Sequence, residues 1–415
     1  MPGRVAGGAS RAGSHGPGPE ESVIADERLR PLSTAERNRY SRNILVPEVG
    51  AAGQRRIRAA RVMLVGAGAL GSPAALYLAA AGVGFLGIID DDDVDVTNLQ
   101  RQVLHTMPDV GLAKVESARR AVKALNPDVE VVAHREALTS RNALEVLGGW
   151  DVVIDGTDNF PTRYLVNDAC VMLGTPLVHG AVFRSDGQVA VFDARRGPCY
   201  RCVHPTPPDP GAVPSCAEGG VLGVMPGIVG TMQAAEALKL VVGGARPLIG
   251  RMVLFNAWAG RGSELTIRKN PTCPVCGSEP TITGLIDDEV LCGVTGTPDT
   301  PDGHIDGRKG RTMNEMTATE LRARIAAGRL PGGAYTLLDV REPDEVEADA
   351  IAGSLRIPLG EVVERMDELD PGRETIVHCA AGVRSARAIE ALTAAGYTGA
   401  LTNLAGGMKA WNESA

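Results

Sequence analysis

The sequence predicts an α/β fold in two parts: a doubly wound, largely parallel sheet built around a glycine loop, followed by a smaller α/β domain. Three observations predict it. RVMLVGAGALGSP (61–73) runs an apolar strand into clustered glycines and then into a helix. DVVIDGTDNFPTR (151–163) is a second apolar strand ending in polar groups. After a Gly-, Pro- and Asp-rich stretch, TIVHCAAGVRSARA (375–388) returns to strand, short loop and helix. Continuous apolar strands suit a sheet covered by helices on both faces.

The first unit opens with a strand at 61–65, a glycine turn at 66–71, a helix to about Ala81 and a strand at 85–89. Gly66 permits the tight turn, Gly68 lets backbone approach a phosphate, and Gly71 lets the helix pack close to the sheet. Asp90 ends the second strand, where a carboxylate accepts hydrogen bonds from a ribose. No charged residue falls between Val62 and Ile89, as in a membrane span, but six glycines and Pro73 interrupt the run. A GxGxxG loop alone also fits a nicotinamide oxidoreductase.

At 415 residues the chain is long enough for two or three domains. Its net charge of −8 argues against a broad nucleic-acid surface, and scarce aromatic residues argue against base-stacking platforms. Residues 1–30 read as a disordered tail whose first ~22 residues are rich in Gly, Pro and Ser and are not a signal peptide. A cytoplasmic location is expected, where thiols stay reduced, so the eight cysteines read as metal ligands, nucleophiles or core residues before disulfides.

Along the chain, Ser33 and Glu36 form a capping-box pattern that starts a helix, with Arg37, Arg39 and Arg42 close together; a solvated face is the plain alternative. TNLQRQ supplies Asn98, Gln100 and Arg101, and Lys114 lies on a helix expected at 112–125. This polar density near a glycine loop suits a triphosphate better than a dinucleotide. Asp158, beyond the strand at 151–155, is a candidate magnesium ligand, or the cap of the helix from Pro161, or both. Cys199-x-x-Cys202 and Cys273-x-x-Cys276, 70 residues apart, suit a closed tetrahedral zinc site. Cys216 precedes a helix expected at 221–242 and reads as a nucleophile or an inert thiol; Cys170 reads as core. Residues 291–312 form a linker, and the second domain begins at Met313. Cys379 stands between a strand at 375–379 and a helix, where backbone N–H groups converge, with Arg384 and Ser385 adding to the cradle.

RYSRNILVPEVG, GAGALG, NLQRQVLH, TDNFPTRYLVNDAC, CYRC, CAEGGVLGV and CPVCG, across residues 31–290, resemble the MoeB/ThiF group of adenylating enzymes related to ubiquitin-activating enzymes. LLDVRE, CAAGVRS and LAGGMKAW, across 313–415, resemble a rhodanese sulfurtransferase domain. Together they resemble fused MoeZ-type proteins. The resemblance implies a Rossmann-like ATP-binding domain with structural zinc. Gly66, Gly68 and Ala69 would contact the nucleotide, and Asp90 the ribose. Asn98, Arg101 and Lys114 would hold the phosphates, with Leu99 and Gln100 in the same stretch. It further implies magnesium on Asp158 with Asn159 beside it, zinc on the four CxxC cysteines, and an Arg42 that enters the partner subunit's site in a homodimer. Cys216 matches a conjugating cysteine of some members, and Cys379 the persulfide-bearing cysteine. Ala69, Asn43 and Ala350 depart from the usual glycine, glutamine and histidine.

The implied reaction adenylates the Gly-Gly carboxylate of a small ubiquitin-like sulfur carrier with Mg·ATP, then transfers sulfur from Cys379 to give a thiocarboxylate. Cys216 acts there either as a thioester or as a resolving thiol. The sulfur donor is thiosulfate or a cysteine desulfurase, and neither nucleic acid nor a membrane is expected as a partner. Four residues between Cys379 and Arg384 make a loop one shorter than the Cys-x5-Arg pattern of phosphatases resembling this fold, which favours sulfur. A nicotinamide oxidoreductase and a non-catalytic nucleotide-binding scaffold are the competing classes.

Overall fold

A computed structural model describes residues 21–208, 220–286, 314–329, 331 and 333–414. The expected tail over 1–20, the linker at 291–312 and Cys216 lie outside the described residues. The chain divides into two compact units, residues 1–298 and 299–415.

The first unit is an eight-stranded sheet in the order β3-β2-β1-β4-β5-β6-β7-β8. The strands are β1 (Arg61–Val65), β2 (Phe85–Ile89), β3 (Glu130–His134), β4 (Val152–Asp155), β5 (Leu177–Phe183), β6 (Asp186–Phe192), β7 (Arg251–Asn256) and β8 (Arg261–Thr266). The first five run parallel; β5 to β8 are antiparallel. Val62 and Leu64 enter one core, and Met63 and Val65 the other, so the apolar run is explained by burial on both faces. One face is covered by α4 (Gly71–Ala81), α5 (Lys114–Leu125) and α9 (Val224–Val242). The other carries α6 (Ala143–Val146) and α7 (Phe160–Leu173). Before β1 stand α1 (Thr34–Arg39), α2 (Ser41–Ile44) and α3 (Gly50–Ala59), and α8 (Tyr200–Val203) follows β6.

Ser33 and Glu36 do form a reciprocal capping box at α1. Residues 21–30, expected as tail, are docked: Ile24 is 4% exposed in the core, and Val23 N–H donates to the Leu240 carbonyl at 3.1 Å. Two consecutive apolar residues explain that anchor. The helices expected at 112–125 and 221–242 begin at Lys114 and Val224, and Thr375–His378 ends one residue earlier than expected. Cys379 is therefore the first loop residue. No described helix is long and apolar enough to cross a membrane.

The second unit is a five-stranded parallel sheet in the order β11-β10-β12-β13-β9. Its strands are β9 (Asn314–Met316), β10 (Thr336–Asp339), β11 (Leu355–Arg356), β12 (Thr375–His378) and β13 (Leu401–Leu404). Helices α10 (Ala318–Ala326), α11 (Pro343–Ala348), α12 (Val383–Ala394) and α13 (Gly407–Glu413) complete it. The loop carrying Cys379 joins central β12 to α12, where strand ends leave backbone groups available.

Candidate functional site

The C-terminal ends of β1, β2, β3 and β4 surround a cavity of about 620 Å³. Gly66 takes φ +97°, the left-handed region open to glycine. A Cβ on Gly71 would run into the Gly66 carbonyl oxygen, and one on Gly156 would stand 2.9 Å from the Val65 oxygen. The two strand-end loops thus close on each other through glycine. Gly68 differs: a Cβ there would meet only Gln102 Nε2, at 3.7 Å, so its bare backbone faces the cavity. Ala69 lines the cavity beside it, and its methyl group is accommodated.

Asp90, Asp91 and Asp92 line the cavity, whereas Asp93 turns away to Arg135. Asp90 Oδ2 accepts from Ala67 N–H at 2.8 Å and Oδ1 from Asp92 N–H at 3.0 Å. Its carboxylate thereby braces the glycine loop, and each oxygen keeps a lone pair for a hydroxyl donor. Burial raises its pKa; Lys114 and the two backbone donors oppose that. The Lys114 ammonium, buried at the start of α5, lies 2.6 Å from Asp92 and 4.0 Å from Asp90.

Arg101 also lines the cavity, its guanidinium donating to the Thr97 carbonyl at 3.1 Å. Asn98, Leu99 and Gln100 do not line it. Asn98 Oδ1 accepts from Asp95 N–H across the turn at Val96–Asn98, and Gln100 packs against Gly223. Local capping claims Asn98 and packing against Gly223 claims Gln100, which spacing from the glycine loop does not reveal. The helix cap expected at Asp158 falls instead on Asn159, whose Oδ1 accepts from Thr162 N–H at 2.9 Å. Asp158 is left facing the cavity with its carboxylate exposed. Arg42 is exposed on α2 and does not line this chain's own cavity.

Cys199, Cys202, Cys273 and Cys276 converge, with sulfurs 3.9 Å (199–202), 3.5 Å (199–273) and 3.4 Å (202–276) apart. A tetrahedral zinc with Zn–S near 2.3 Å sets sulfurs about 3.8 Å apart, so the donors fit. Hydrogen bonding from Cys199 draws Cys202 down to about 4, and burial pushes Cys276 up to about 12. A cation between the four sulfurs would hold them all as thiolates. Cys170 is 3% exposed within α7, as its core reading expects.

In the second unit Cys379 is 1% exposed, and Gly382 N–H lies 3.1 Å from its sulfur. Ser385 Oγ stands 3.5 Å from the same sulfur and donates to Asn403 Oδ1 at 2.7 Å. α13 holds the loop from one side: Met408 N–H donates to the Cys379 carbonyl at 2.8 Å and Lys409 N–H to the Ala380 carbonyl at 3.0 Å. A Cβ on Gly407 would strike the Cys379 oxygen. Carbonyls thus face α13, which suits a sulfur anion on the other side. Ser385 joins the cradle as expected, but Arg384 is held by Glu345 in a two-pronged ion pair, both contacts 2.7 Å. A carboxylate 39 residues upstream is not visible from the loop's own sequence. Behind the loop, burial pushes His378 down to about 4.

The ThiF family profile matches residues 40–275, more than half of the chain. The chain belongs to the ThiF family. A rhodanese-like domain profile matches residues 317–414. Among relatives of this ThiF protein, the Thermus thermophilus "Sulfur carrier protein adenylyltransferase" is 54% identical over 264 residues, covering 62% of this chain and 97% of the relative. The Mycobacterium tuberculosis "Probable adenylyltransferase/sulfurtransferase MoeZ" is 44% identical over 386 residues, covering 92% and 94%. The Drosophila yakuba "Adenylyltransferase and sulfurtransferase MOCS3" is 40% identical, covering 95% and 88%. Among solved structures, Escherichia coli MccB with ATP shares the fold, with a TM-score of 0.53, 22% identity, and coverage of 61% of this chain and 77% of that one.

Several residues of the ThiF site carry no motif in the sequence. Glu136, Leu138, Thr139 and Arg141, after β3, form a wall of the cavity. The sole signal for them is topological, since β3 lies beside β2 and its end must open on the same crevice. Beneath the Asp158 loop, Asp155 pairs with His179 at 2.8 Å, both 1% exposed. Asp155 also accepts from Thr157 N–H and Oγ–H, fixing the turn that carries Asp158. Burial lowers the His179 pKa, opposed by Asp155, so His179 donates through Nδ1 as a neutral ring.

Proposed function

We propose that this enzyme adenylates the C-terminal Gly-Gly carboxylate of a small ubiquitin-like sulfur carrier and then sulfurates it. The observation that carries the reading is one chain bearing both a nucleotide-sized cavity under a glycine loop, lined by Arg101 and Lys114, and a buried cysteine whose sulfur faces the Gly382 N–H and the Ser385 hydroxyl. Relatives spanning nearly the whole chain are named for both activities.

In the first step a carrier carboxylate oxygen attacks the α-phosphorus of ATP, and pyrophosphate leaves. No side-chain nucleophile is needed: alignment and positive charge from Lys114 and Arg101 act on the developing phosphate charge. Asp158, a carboxylate on the cavity wall, would hold magnesium, which when bound offsets phosphate charge. Arg42 supplies a further cation from the partner subunit of a homodimer. In the second step the outer sulfur of a Cys379 persulfide attacks the acyl carbon and AMP leaves, giving an acyl disulfide. A second thiol, Cys216 or an external one, takes the inner sulfur into a new disulfide and releases the thiocarboxylate. The donor that charges Cys379 is thiosulfate or a cysteine desulfurase. Dependence on ATP and reduced thiols suits the cytoplasm.

The test is to incubate the chain with Mg·ATP, a sulfur donor and carriers ending in Gly-Gly, then weigh each carrier. Replacement of one oxygen by sulfur in one carrier is expected. No mass change together with no pyrophosphate exchange overturns the reading in favour of a scaffold.

The four-cysteine cluster holds zinc in this reading, clamping α8 to the segment at 273–276. One zinc per chain is expected by elemental analysis, and Cys276→Ala should lose it and melt at least several degrees lower. A Cys276→Ala chain that keeps zinc and its melting temperature removes the structural role.

A further inference from the structure

His105 is 5% exposed, and its imidazole is where three segments that wall the nucleotide cavity meet. Its own segment carries Arg101 and Gln102, both cavity-lining. Its Nε2 lies 2.9 Å from the carbonyl oxygen of Ala67 in the glycine loop. Its Nδ1 lies 2.8 Å from Ser117 Oγ on α5, the helix that Lys114 begins.

A carbonyl oxygen only accepts, so Nε2 carries the proton, and in the neutral ring Nδ1 accepts a hydrogen bond from the Ser117 hydroxyl, on which Asp109 also draws. Burial lowers the His105 pKa, and Lys114 lowers it further against the Ala67 hydrogen bond, so the ring is neutral at pH 7. From the opposite side, Ala67 N–H is held by Asp90 at 2.8 Å. Both polar groups of the Ala67 backbone are thus fixed by side chains. The carbonyl, which also accepts from Ser72 Oγ at the longer distance of 3.4 Å, sets the rotation of the peptide leading into Gly68, whose bare backbone, like that of Gly66, faces the cavity.

We propose that His105 is a positioning residue for the adenylation step: through one tautomer it locks the glycine loop, the Arg101 segment and the Lys114 helix into the geometry that receives the ATP phosphates. The inference rests on the adenylation reading above but makes its own prediction about nucleotide affinity.

The experiment is titration calorimetry with Mg·ATP on the full chain and three variants. His105→Phe keeps the ring's bulk and removes both hydrogen bonds; affinity should fall about 10- to 100-fold. His105→Gln returns an N–H within reach of the Ala67 oxygen and should recover to within about threefold of wild type. Ser117→Ala frees the ring to adopt the other tautomer, which turns a lone pair toward the Ala67 oxygen, and should cost about three- to tenfold. Sulfur loading of Cys379 should be unchanged in all three.

Unchanged affinity in His105→Phe overturns the proposal, as does a loss that His105→Gln fails to recover. If His105→Phe fails to fold, the ordering of Ser117→Ala below His105→Gln decides, and its reversal overturns the proposal. Wild type that binds Mg·ATP but exchanges no pyrophosphate with any Gly-Gly carrier overturns the adenylation reading, while the affinities still judge the lock.

Discussion

Cys379→Ala should abolish sulfur loading and thiocarboxylate formation while leaving carrier-dependent ATP–pyrophosphate exchange at the wild-type rate. The thiol is the only group in its cradle that can carry a second sulfur: Ser385 is a hydroxyl committed to Asn403, and the other contact is a backbone N–H. The substitution removes one buried sulfur from a site 1% exposed, a volume loss that β12 and α12 tolerate at modest cost. Activity and folding are therefore separable here. The check is mass spectrometry of the chain after exposure to thiosulfate or a persulfide donor, alongside the exchange assay. Undiminished thiocarboxylate formation would remove Cys379 from the mechanism and with it the sulfur half of the proposal.

Asp158→Ala should give the reverse pattern, with exchange down about 10²- to 10³-fold and sulfur loading of Cys379 intact. Asp158 is exposed and the neighbouring Asn159 does the capping, so removing its carboxylate takes nothing from the fold. The melting temperature should stay within about 1 °C, as for a surface substitution away from structural contacts. An exchange rate within about threefold of wild type would show that the metal is held elsewhere, and Asp90 to Asp92 would then be examined by the same assay.

The strands at 61–65 and 85–89 were legible to the residue, and the helix after the glycine loop to within about one, because an apolar run broken by Gly66 to Gly71 has few other uses. The four cysteines were legible too, since thiol pairs at that spacing serve a shared ligand well and little else. What the sequence hid was competition for side chains. Asn98 looks like a nucleotide contact by position, yet it caps a local turn away from the cavity, whereas Asn159 caps its helix and still lines the cavity. Arg384 looks available, yet Glu345 takes both its prongs. His105, Asp155 and His179 were silent because their partners lie 12 to 38 residues away and the pairing depends on register between strands and loops. Docking of residues 21–30 was hidden for the same reason: two apolar residues gain meaning once Leu240 and Val241 are known to be near them.

Gly66, Gly71 and Gly156 exclude a Cβ from one another's space, each by crowding a carbonyl oxygen of the same crossing. Their tolerance to change is therefore shared rather than individual. A methyl group introduced at Gly71 cannot be absorbed unless the peptide at Gly66 rotates, and that peptide is pressed against Gly156. Substitutions here are epistatic: each is destructive on its own, and the cost of the second depends on the shift the first has forced. A lineage that explores this chain one residue at a time will find the crossing frozen, while the wall after β3, with no such mutual exclusion, stays open to drift and to selection for a different nucleotide.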